Sequence, residues 1–313
     1  MRVPADLPQW DEAVIKAYRL QRLEIRHGEH MVRLFRARGG KIIANAPYLE
    51  YGGLAAASDT PQVLADELIE LMTQHGAQTL LLKSREQLDI SGTPFVGSEN
   101  YVTFELDLSG GPDDLWENHL NAKTRNQTRK ADKAGFSRSL GGAELLDDFY
   151  QVLSRCWRDL GTPTHKKQFF EQIHTAFADA CSFIVVYDSG RPVATALLLV
   201  LDGALHHPFA GTLNHYKPTS VNNWMYWEIM KFACSNGLKM FEMGRADTEA
   251  GTFRFKKSWG AEPIPLHYYY LLNRGASVPD LNSPFYRCAT ASWRHLPLAI
   301  ARRAGPALIR YVL

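Results

Sequence analysis

The order of strands and helices predicted from the sequence repeats once along the chain. In the first half, two strands flank a Gly-rich turn (residues 31–47), a helix covers residues 59–76, and QTLLLKS and YVTFELDL are two further strands. In the second half, SFIVVYD, VATALLLVLDG and ALHHPFAG precede a helix over residues 220–237, and LKMFEMG and PLHYYYLL follow it. Two such units predict a duplicated α/β fold with mixed sheets. We expect one α/β domain over residues 1–110 and a second over 111–275, each with its own sheet.

Length and composition fit this interpretation and narrow the function. The chain has 313 residues, enough for about two domains. Its net charge is only +2, so contact with nucleic acid or anionic lipid would depend on local clusters of cations. The four cysteines lie far apart without a C-x-x-C pair, which argues against a zinc ribbon or a redox dithiol. Without an apolar signal region or a membrane-length apolar run, the sequence predicts a cytoplasmic protein.

One segment between the halves is strongly basic. SGGPDDLWENHLNAKTRNQTRKADKAG has Pro112 near its start and Gly135 at its end, which are signals for the start and end of a helix. Its later turns carry one acid against five cations: Lys123, Arg125, Arg129, Lys130 and Lys133. Such a face is a candidate phosphate contact for RNA or a pyrophosphate lipid. A solvated helix face is the alternative, and the sequence leaves both open.

A second basic segment, FEMGRADTEAGTFRFKKSWGAEP (residues 241–263), interleaves cations with aromatic residues. A desolvated Lys256 could donate to an oxyanion, and Gly244 and Gly251 would let a ligand approach the backbone closely. The other candidate contacts in the segment are Arg245, Arg254, Phe255, Lys257 and Trp259. The alternative is a solvated loop that its aromatic residues pin to the core.

Few other side chains form a recognisable catalytic pattern. Three acids of the second basic segment are candidate acids or bases, with nothing to select among them: Glu242, Asp247 and Glu249. His206 and His207 share a predicted strand, so one should face inward and one outward, and we interpret them as core histidines. Asn223 either caps a helix or contacts a ligand. No Ser-His-Asp spacing, G-x-S-x-G or H-E-x-x-H occurs, so the sequence predicts neither a serine hydrolase nor a metal site.

The last segment, residues 276–313, mixes Arg with Leu and Ile. A basic amphipathic segment can bind anionic lipid headgroups. The alternative is a final helix that docks on the second domain. The sequence supports the two equally.

Several of these motifs together resemble a known family. NYVTFELDL, LWENHLNAKTRNQTRKADKAG, LGTPTHKKQFF and FEMGRADTEAGTFRFKKSWGAEPIPLHYYY look like the FemAB-related proteins found with exosortase and exopolysaccharide loci. PYLEYGG matches the family's aromatic-Tyr-Gly-Gly loop, which makes Tyr48 and Tyr51 candidate substrate contacts. The resemblance covers roughly residues 47–271.

This resemblance implies two tandem GNAT-like domains and an acyltransferase. In Fem transferases the donor is an aminoacyl-tRNA and the acceptor is an amine on a lipid-linked muropeptide, so no metal or bound cofactor is expected. The family's Phe-Lys pair falls on Phe255 and Lys256, and Lys256 would hold the donor's carbonyl oxygen. The basic helix, with Arg125, Arg129 and Lys130, would lie near substrate phosphate.

Two other functions stay open beside aminoacyl transfer. One is acetyl-CoA-dependent transfer to a sugar or polymer precursor, although AGTLNHYKPTSVNNW lacks a close R-x-x-G-x-G/A pattern for the CoA pyrophosphate. The other is a non-catalytic partner in exopolysaccharide assembly. We expect a monomer, with a possible peripheral contact on the cytoplasmic face of the inner membrane.

Overall fold

The computed structural model describes residues 2–27, 30–37, 39–52, 61–280 and 283–311. Its first half contains α1 (Pro8–Tyr18), β1 (Gln21–His27), β2 (His30–Arg36), β3 (Ile42–Ala44), α2 (Pro61–Gln74), β4 (Thr79–Ser84) and β5 (Val96–Asp107). Next come α3 (Gly111–Asp114), a π-helical turn (Leu115–His119), α4 (Ala122–Asp132), β6 (Ser137–Gly141), α5 (Leu146–Leu160) and α6 (Lys167–Phe177).

The second half continues with β7 (Cys181–Asp188), β8 (Arg191–Leu201), β9 (Ala204–Thr212), α7 (Val221–Ser235), β10 (Met240–Glu242), β11 (Ala246–Asp247), α8 (Gly251–Lys257) and β12 (Glu262–Leu272). Two further helices follow, α9 (Pro284–Arg294) and α10 (Leu298–Ile309). The predicted strands and helices are confirmed in their order. The start of the helix predicted from residue 59 lies outside the described residues, since α2 begins at Pro61.

The described strands form one continuous mixed sheet. Their order is β1-β2-β3-β4-β12-β5-β10-β9-β8-β7-β6, with β11 paired to β5. The expectation of two separate sheets is therefore wrong. The reason is that β12 leaves the second half and pairs antiparallel with β4 on one edge and β5 on the other. β5 in turn pairs with β10, which joins the two halves. A domain division near residue 110 stays a prediction.

Helices cover both faces of the second-half sheet. Alternate residues of β7 enter different cores, with Phe183 and Val185 packed beneath α5 and α6, and Ile184 and Val186 beneath α7. A strand that is buried on both faces has no solvent side. For this reason the prediction that one of the two neighbouring histidines on β9 faces outward is wrong, and both are buried.

The N-terminal residues add two elements that the sequence did not reveal, α1 and β1. Trp10 of α1 is completely buried, and its indole Nε1 donates to the carbonyl of Pro47 at 3.0 Å. This bond ties α1 to the loop that carries the PYLEYGG motif. The helix lies against the second-half core, so the chain's first residues help to build the surroundings of residues 47–52.

That loop is held from below by two buried side chains. The Lys83 ammonium on β4 donates to the carbonyls of Ala46 at 2.7 Å and Leu49 at 2.9 Å. The Asn45 amide donates to the carbonyls of Gly52 and Lys83 and accepts from the Lys83 N–H. These bonds satisfy backbone groups that the loop would otherwise bury unpaired. The described part of the loop, up to Gly52, therefore has a defined shape.

The basic helix is broken where the sequence predicted one continuous helix. Leu120 adopts extended backbone after the π-helical turn, and Asn121 caps α4 by accepting from the N–H of Thr124 at 2.8 Å. The guanidinium of Arg125 donates to the freed carbonyls of the preceding turn, including that of Trp116 at 3.1 Å. The break is stable because these groups satisfy both helix ends.

The last helix docks on α5 and the segment that follows it. The Arg302 guanidinium donates to the Ser154 hydroxyl at 2.9 Å, and Ala301 and Ile309 are buried. At Gly305 a Cβ would lie 2.7 Å from the carbonyl oxygen and 2.8 Å from the nitrogen of Thr164. The docked-helix alternative thus describes the geometry of α10.

This contact reverses the usual effect of replacing a helical glycine. Replacing Gly by Ala in a helix interior normally raises the free energy of unfolding by up to about 1 kcal/mol. We expect Gly305→Ala to lower it by about 1–3 kcal/mol instead, because the added methyl group would meet the backbone of Thr164. Ala307→Gly on the exposed side is the propensity control. Chemical denaturation would measure both, and a more stable Gly305→Ala variant would contradict the docking.

Candidate functional site

Strands β9 and β10 separate at the centre of the sheet. They pair in parallel only where Ala204–His206 meets Met240–Glu242. Beyond this point the chain from β10 stays beside β5, where Ala246 pairs with Val102, while β9 stays beside β8. We call the place where the two strands separate the gap: His207 lies on one side and Gly244 on the other, with the His207 ring 3.6 Å from where a Cβ on Gly244 would lie.

Lys256 reaches this gap from α8. The sequence predicts a loop between the strands LKMFEMG and PLHYYYLL, but the structure forms β11 and α8 within it. The Lys256 ammonium donates to the carbonyls of Gly244 at 2.7 Å and Arg245 at 2.8 Å. An ammonium has three donors, so one remains for a ligand. Burial lowers the pKa of Lys256 to about 8, although the nearby carboxylates of Glu242 and Glu50 oppose this shift.

Gly244 connects Lys256 to a buried carboxylate. Its φ is +74°, a backbone conformation that favours glycine. Its carbonyl accepts from Lys256, and its N–H donates to Glu242 Oε1 at 3.1 Å. The hydroxyl of Thr103 donates to the same oxygen, and the other carboxylate oxygen lies 3.6 Å from Nδ1 of His206. Burial alone would raise the pKa of Glu242, but the contacts with His206 and Thr103 outweigh it and lower the pKa.

The second histidine and the aromatic residues line the α7 side of the gap. His207 Nε2 and the Tyr226 hydroxyl are 2.7 Å apart, and burial lowers the pKa of His207 to about 3, so the ring is neutral. Phe255 packs edge-on against Tyr226 with ring centres 5.0 Å apart, and Trp259 packs beside both. Trp259 is fully buried, so its indole contacts the core and reaches no solvent-facing substrate in this conformation.

The predicted cationic contacts divide into two groups. Arg254 and Lys257 on α8 and Arg129 and Lys130 on α4 are exposed. Arg125 is instead committed to the carbonyls of the turn before α4. The two basic segments do meet, because the hydroxyls of Thr124 and Ser258 lie 3.0 Å apart.

Arg245 hydrogen-bonds Lys256 through its backbone carbonyl, and the remaining predicted contacts lie in other parts of the fold. The guanidinium of Arg245 lies 4.3 Å over the Tyr101 ring and donates to the Tyr268 hydroxyl at 3.3 Å. Tyr48 packs against His165 in an aromatic cluster. Tyr51 borders two clefts. Asn223 on α7 is buried, and its amide nitrogen has no partner among the described residues.

Three site residues had no sequence signal. Lys83 lies in an ordinary apolar strand, yet burial lowers its pKa to about 7. Glu50 lies inside PYLEYGG, where only the two tyrosines were candidate contacts. Burial raises the pKa of its carboxyl. Thr103 is one of many strand threonines. Only the fold shows that Thr103 and Glu50 lie close to Glu242, and that Lys83 holds the loop that carries Glu50.

Within the residues that the structure describes, no group of three or more His, Cys, Asp and Glu side chains could hold a metal ion. No helix in the same ranges has the length and apolar character needed to cross a membrane.

Comparisons with known proteins agree on the fold. A family model described as an acetyltransferase (GNAT) domain matches residues 119–257. The crystal structure of FemX is similar over 92% of this chain and 94% of that chain, with 14% identity and a TM-score of 0.61. A tandem GNAT protein from the clavulanic acid biosynthesis pathway covers 86% of this chain and 89% of its own, with 11% identity and a TM-score of 0.60.

A third solved structure is the C-terminal domain of a putative lysylphosphatidylglycerol synthetase from Agrobacterium fabrum. It is similar over 84% of this chain and 91% of that chain, with 12% identity and a TM-score of 0.56. A search of curated proteins found no significant match. The matched model and these structures confirm the predicted α/β fold with tandem GNAT-like character.

Proposed function

We propose that the chain is an acyltransferase of the FemAB-like type, which moves an aminoacyl or acyl group to an amine of a cell-envelope or exopolysaccharide precursor. The observation that carries this proposal is the buried Lys256 ammonium in the gap between β9 and β10, with one donor left for a ligand. The similarity in fold to FemX and to a tandem GNAT protein supports it.

The chemistry asks little of the protein beyond positioning. An aminoacyl ester or thioester is already activated, so the amine attacks its carbonyl carbon without a covalent enzyme intermediate. The carbonyl oxygen gains negative charge in the transition state. The third N–H of Lys256 would donate to that oxygen, while its other two hold the ammonium in place. A donor that is fixed before the reaction stabilises the oxyanion without reorganisation.

Exposed cations favour a polyanionic donor. Arg254 and Lys257 flank Lys256 in the sequence, and the start of α4 contacts Ser258 directly. Several exposed cations on the adjoining helices α4 and α8 fit the phosphates of a tRNA end better than a single pyrophosphate. We therefore favour aminoacyl-tRNA over acyl-CoA. The non-catalytic alternative gives the buried lysine no task beyond holding two carbonyls.

A donor screen tests the proposal. Purified protein is incubated with a pool of charged tRNAs or with acyl-CoAs, together with amino sugars and amine-bearing peptides, and the products are weighed by mass spectrometry. We expect a product heavier by one aminoacyl residue. Transfer from CoA alone would support the acyl-CoA alternative, and no transfer from any donor would support the non-catalytic one.

Replacing Lys256 should affect chemistry more than binding. We expect Lys256→Met to lower the rate of transfer by about a hundred- to a thousand-fold, as for loss of another oxyanion donor. The two unpaired carbonyls should also cost about 1–3 kcal/mol of stability. Lys257→Met is the matched control, because Lys257 is exposed on the same helix. Equal losses in both variants, or full activity in Lys256→Met, would remove Lys256 from the mechanism.

The lowered pKa of Lys256 predicts an alkaline limit. Only the ammonium stabilises an oxyanion, so the transfer rate should fall about tenfold per pH unit above about pH 8. Stability should change in the opposite direction. Between about pH 8 and pH 10.5 the unfolded chain keeps a proton on Lys256 that the folded chain has lost, so the free energy of unfolding rises with pH across this window. In Lys256→Arg the guanidinium stays charged, and the alkaline fall should disappear. The same fall in both proteins would assign it to another group.

The exposed cations of α4 should set the affinity for tRNA. We expect Arg129→Gln with Lys130→Gln to weaken tRNA binding and to reduce the slope of log affinity against log salt by about 1.5. Arg287→Gln with Arg303→Gln removes the same charge from the exposed surface of α9 and α10 and serves as the control. Filter binding at several salt concentrations measures both. Identical slopes for the two double variants would contradict a phosphate contact on α4.

A membrane contact through α9 and α10 stays part of the proposal. Phe285 on α9 is 84% exposed, and Ile300 and Leu308 on α10 are 51% and 47% exposed. We expect Phe285→Ser with Ile300→Ser to reduce co-sedimentation with anionic vesicles severalfold, because apolar burial and charge act together. Val63→Ser with Ile69→Ser on α2 is the control, since it removes two exposed apolar side chains (43% and 39%) from a helix outside the proposed contact. Unchanged co-sedimentation would leave the two helices as a docked cover only.

A further inference from the structure

A small cavity lies on the face of the sheet opposite α7, beneath the PYLEYGG loop. Its volume is about 20 Å³, which has room for one water molecule or one ammonium group. The residues around it are Val3, Pro4, Leu49, Glu50, Tyr51, His206, Pro208 and Glu242. Two carboxyl groups, one imidazole and one tyrosine thus meet beside apolar residues.

His206 presents an unpaired nitrogen here. The residue is only 1% exposed, and its Nε2 has no hydrogen-bond partner within the described part of the chain. Nδ1 lies 3.6 Å from Glu242 Oε2. In the tautomer that places the ring proton on Nδ1, on the side of the carboxylate, Nε2 carries the lone pair that a base needs. A buried nitrogen without a partner is costly, so a ligand or water is expected against it.

Glu242 is held so that it can orient this ring. Oε1 is occupied by Thr103 and by the N–H of Gly244, which leaves Oε2 toward His206. The arrangement matches the base-and-orienting-acid pattern of acid–base sites. His206 is paired to Glu242 across the two parallel strands, so both side chains project from the same face of the sheet.

We propose that this cavity is the subsite for the acceptor's primary amine, with His206 as the general base and Glu242 as its positioning residue. The inference rests on the proposed acyl transfer and adds the acceptor site and the base. The acceptor enters as R–NH₃⁺ and gives one proton to His206 Nε2. The amine nitrogen then forms a bond to the acyl carbon, the bond from that carbon to the ester oxygen breaks, and the second nitrogen proton passes to the leaving oxygen.

The position of Gly244 explains how the two substrates meet. Its carbonyl holds Lys256, whose helix α8 packs on the α7 side, and its N–H holds Glu242 on the opposite side. The acyl donor and the amine therefore approach the gap from opposite faces of the sheet. The reacting carbonyl would lie between the ammonium and the imidazole.

A larger cleft next to the cavity suggests where the body of the acceptor lies. Its volume is about 580 Å³, and it shares Val3 and Tyr51 with the cavity. Its lining includes the Arg85–Glu105 ion pair and Lys239. Charged walls of this kind suit a polar acceptor, such as an amino sugar or a short peptide, better than a lipid chain.

The base is tested by chemical rescue in the assay that shows wild-type transfer. We expect His206→Ala to lower the single-turnover rate by about a hundred- to ten-thousand-fold with donor affinity unchanged. Added imidazole should restore part of the rate in His206→Ala and none in Lys256→Met. His215→Ala, an exposed histidine just beyond β9, is the control. A wild-type rate in His206→Ala, or a loss confined to KM that imidazole leaves unchanged, would overturn the role of base.

The subsite is tested without turnover by the effect of small ammonium ions on thermal stability. We expect methylammonium chloride to raise the melting midpoint of the wild type above its value in equal tetramethylammonium chloride, which is too large for the cavity. The difference should shrink in Glu242→Gln, which keeps the hydrogen-bond geometry, and in Glu50→Gln if the first variant fails to fold. No difference in the wild type would overturn the subsite. A clear difference in a protein that transfers to no amine would contradict the proposed function alone.

Discussion

The peptide groups around Gly244 hold the candidate site together. The Gly244 carbonyl accepts from Lys256, and the N–H of the same residue donates to Glu242. A single glycine thus fixes an ammonium and a carboxylate on opposite faces of the sheet. The left-handed backbone at this position makes both contacts possible. If these bonds were lost, the lysine would have no fixed position in the gap, and His206 would lose the group that orients it.

The surrounding sheet supplies the low dielectric that makes these contacts strong. Because β12 inserts between strands of the first half and helices cover both faces, the centre of the sheet excludes water. This exclusion lowers the pKa of Lys256 and of His207, and it strengthens the charge interactions that remain. The continuous sheet is therefore part of the site, since separate sheets would expose the gap between β9 and β10.

Local patterns predicted much of the fold and only part of the site. Periodicity and turn residues predicted the strands and helices of the second half, and Lys256 became a candidate through the resemblance, because the family's Phe-Lys pair falls on Phe255 and Lys256. The interleaving of β12 could not be predicted, because sheet order depends on pairing between residues far apart in the sequence. For the same reason His206 was interpreted as a core histidine: its meaning depends on Glu242, which only the parallel pairing of β9 and β10 brings beside it. Arg125 shows the reverse case, since its sequence context suggested phosphate binding and the structure commits it to a helix end.

Everything proposed for this site depends on Lys256 receiving the acyl oxygen of the donor in the gap between β9 and β10. A crystal structure with a stable donor analogue, either an adenosine carrying an amide-linked aminoacyl group or an acyl-CoA thioether, tests it most directly. In such a structure we expect the acyl oxygen about 3 Å from the Lys256 ammonium nitrogen, with the reacting carbon facing His206. An analogue bound in another cleft, with the gap between the strands unchanged, would contradict it.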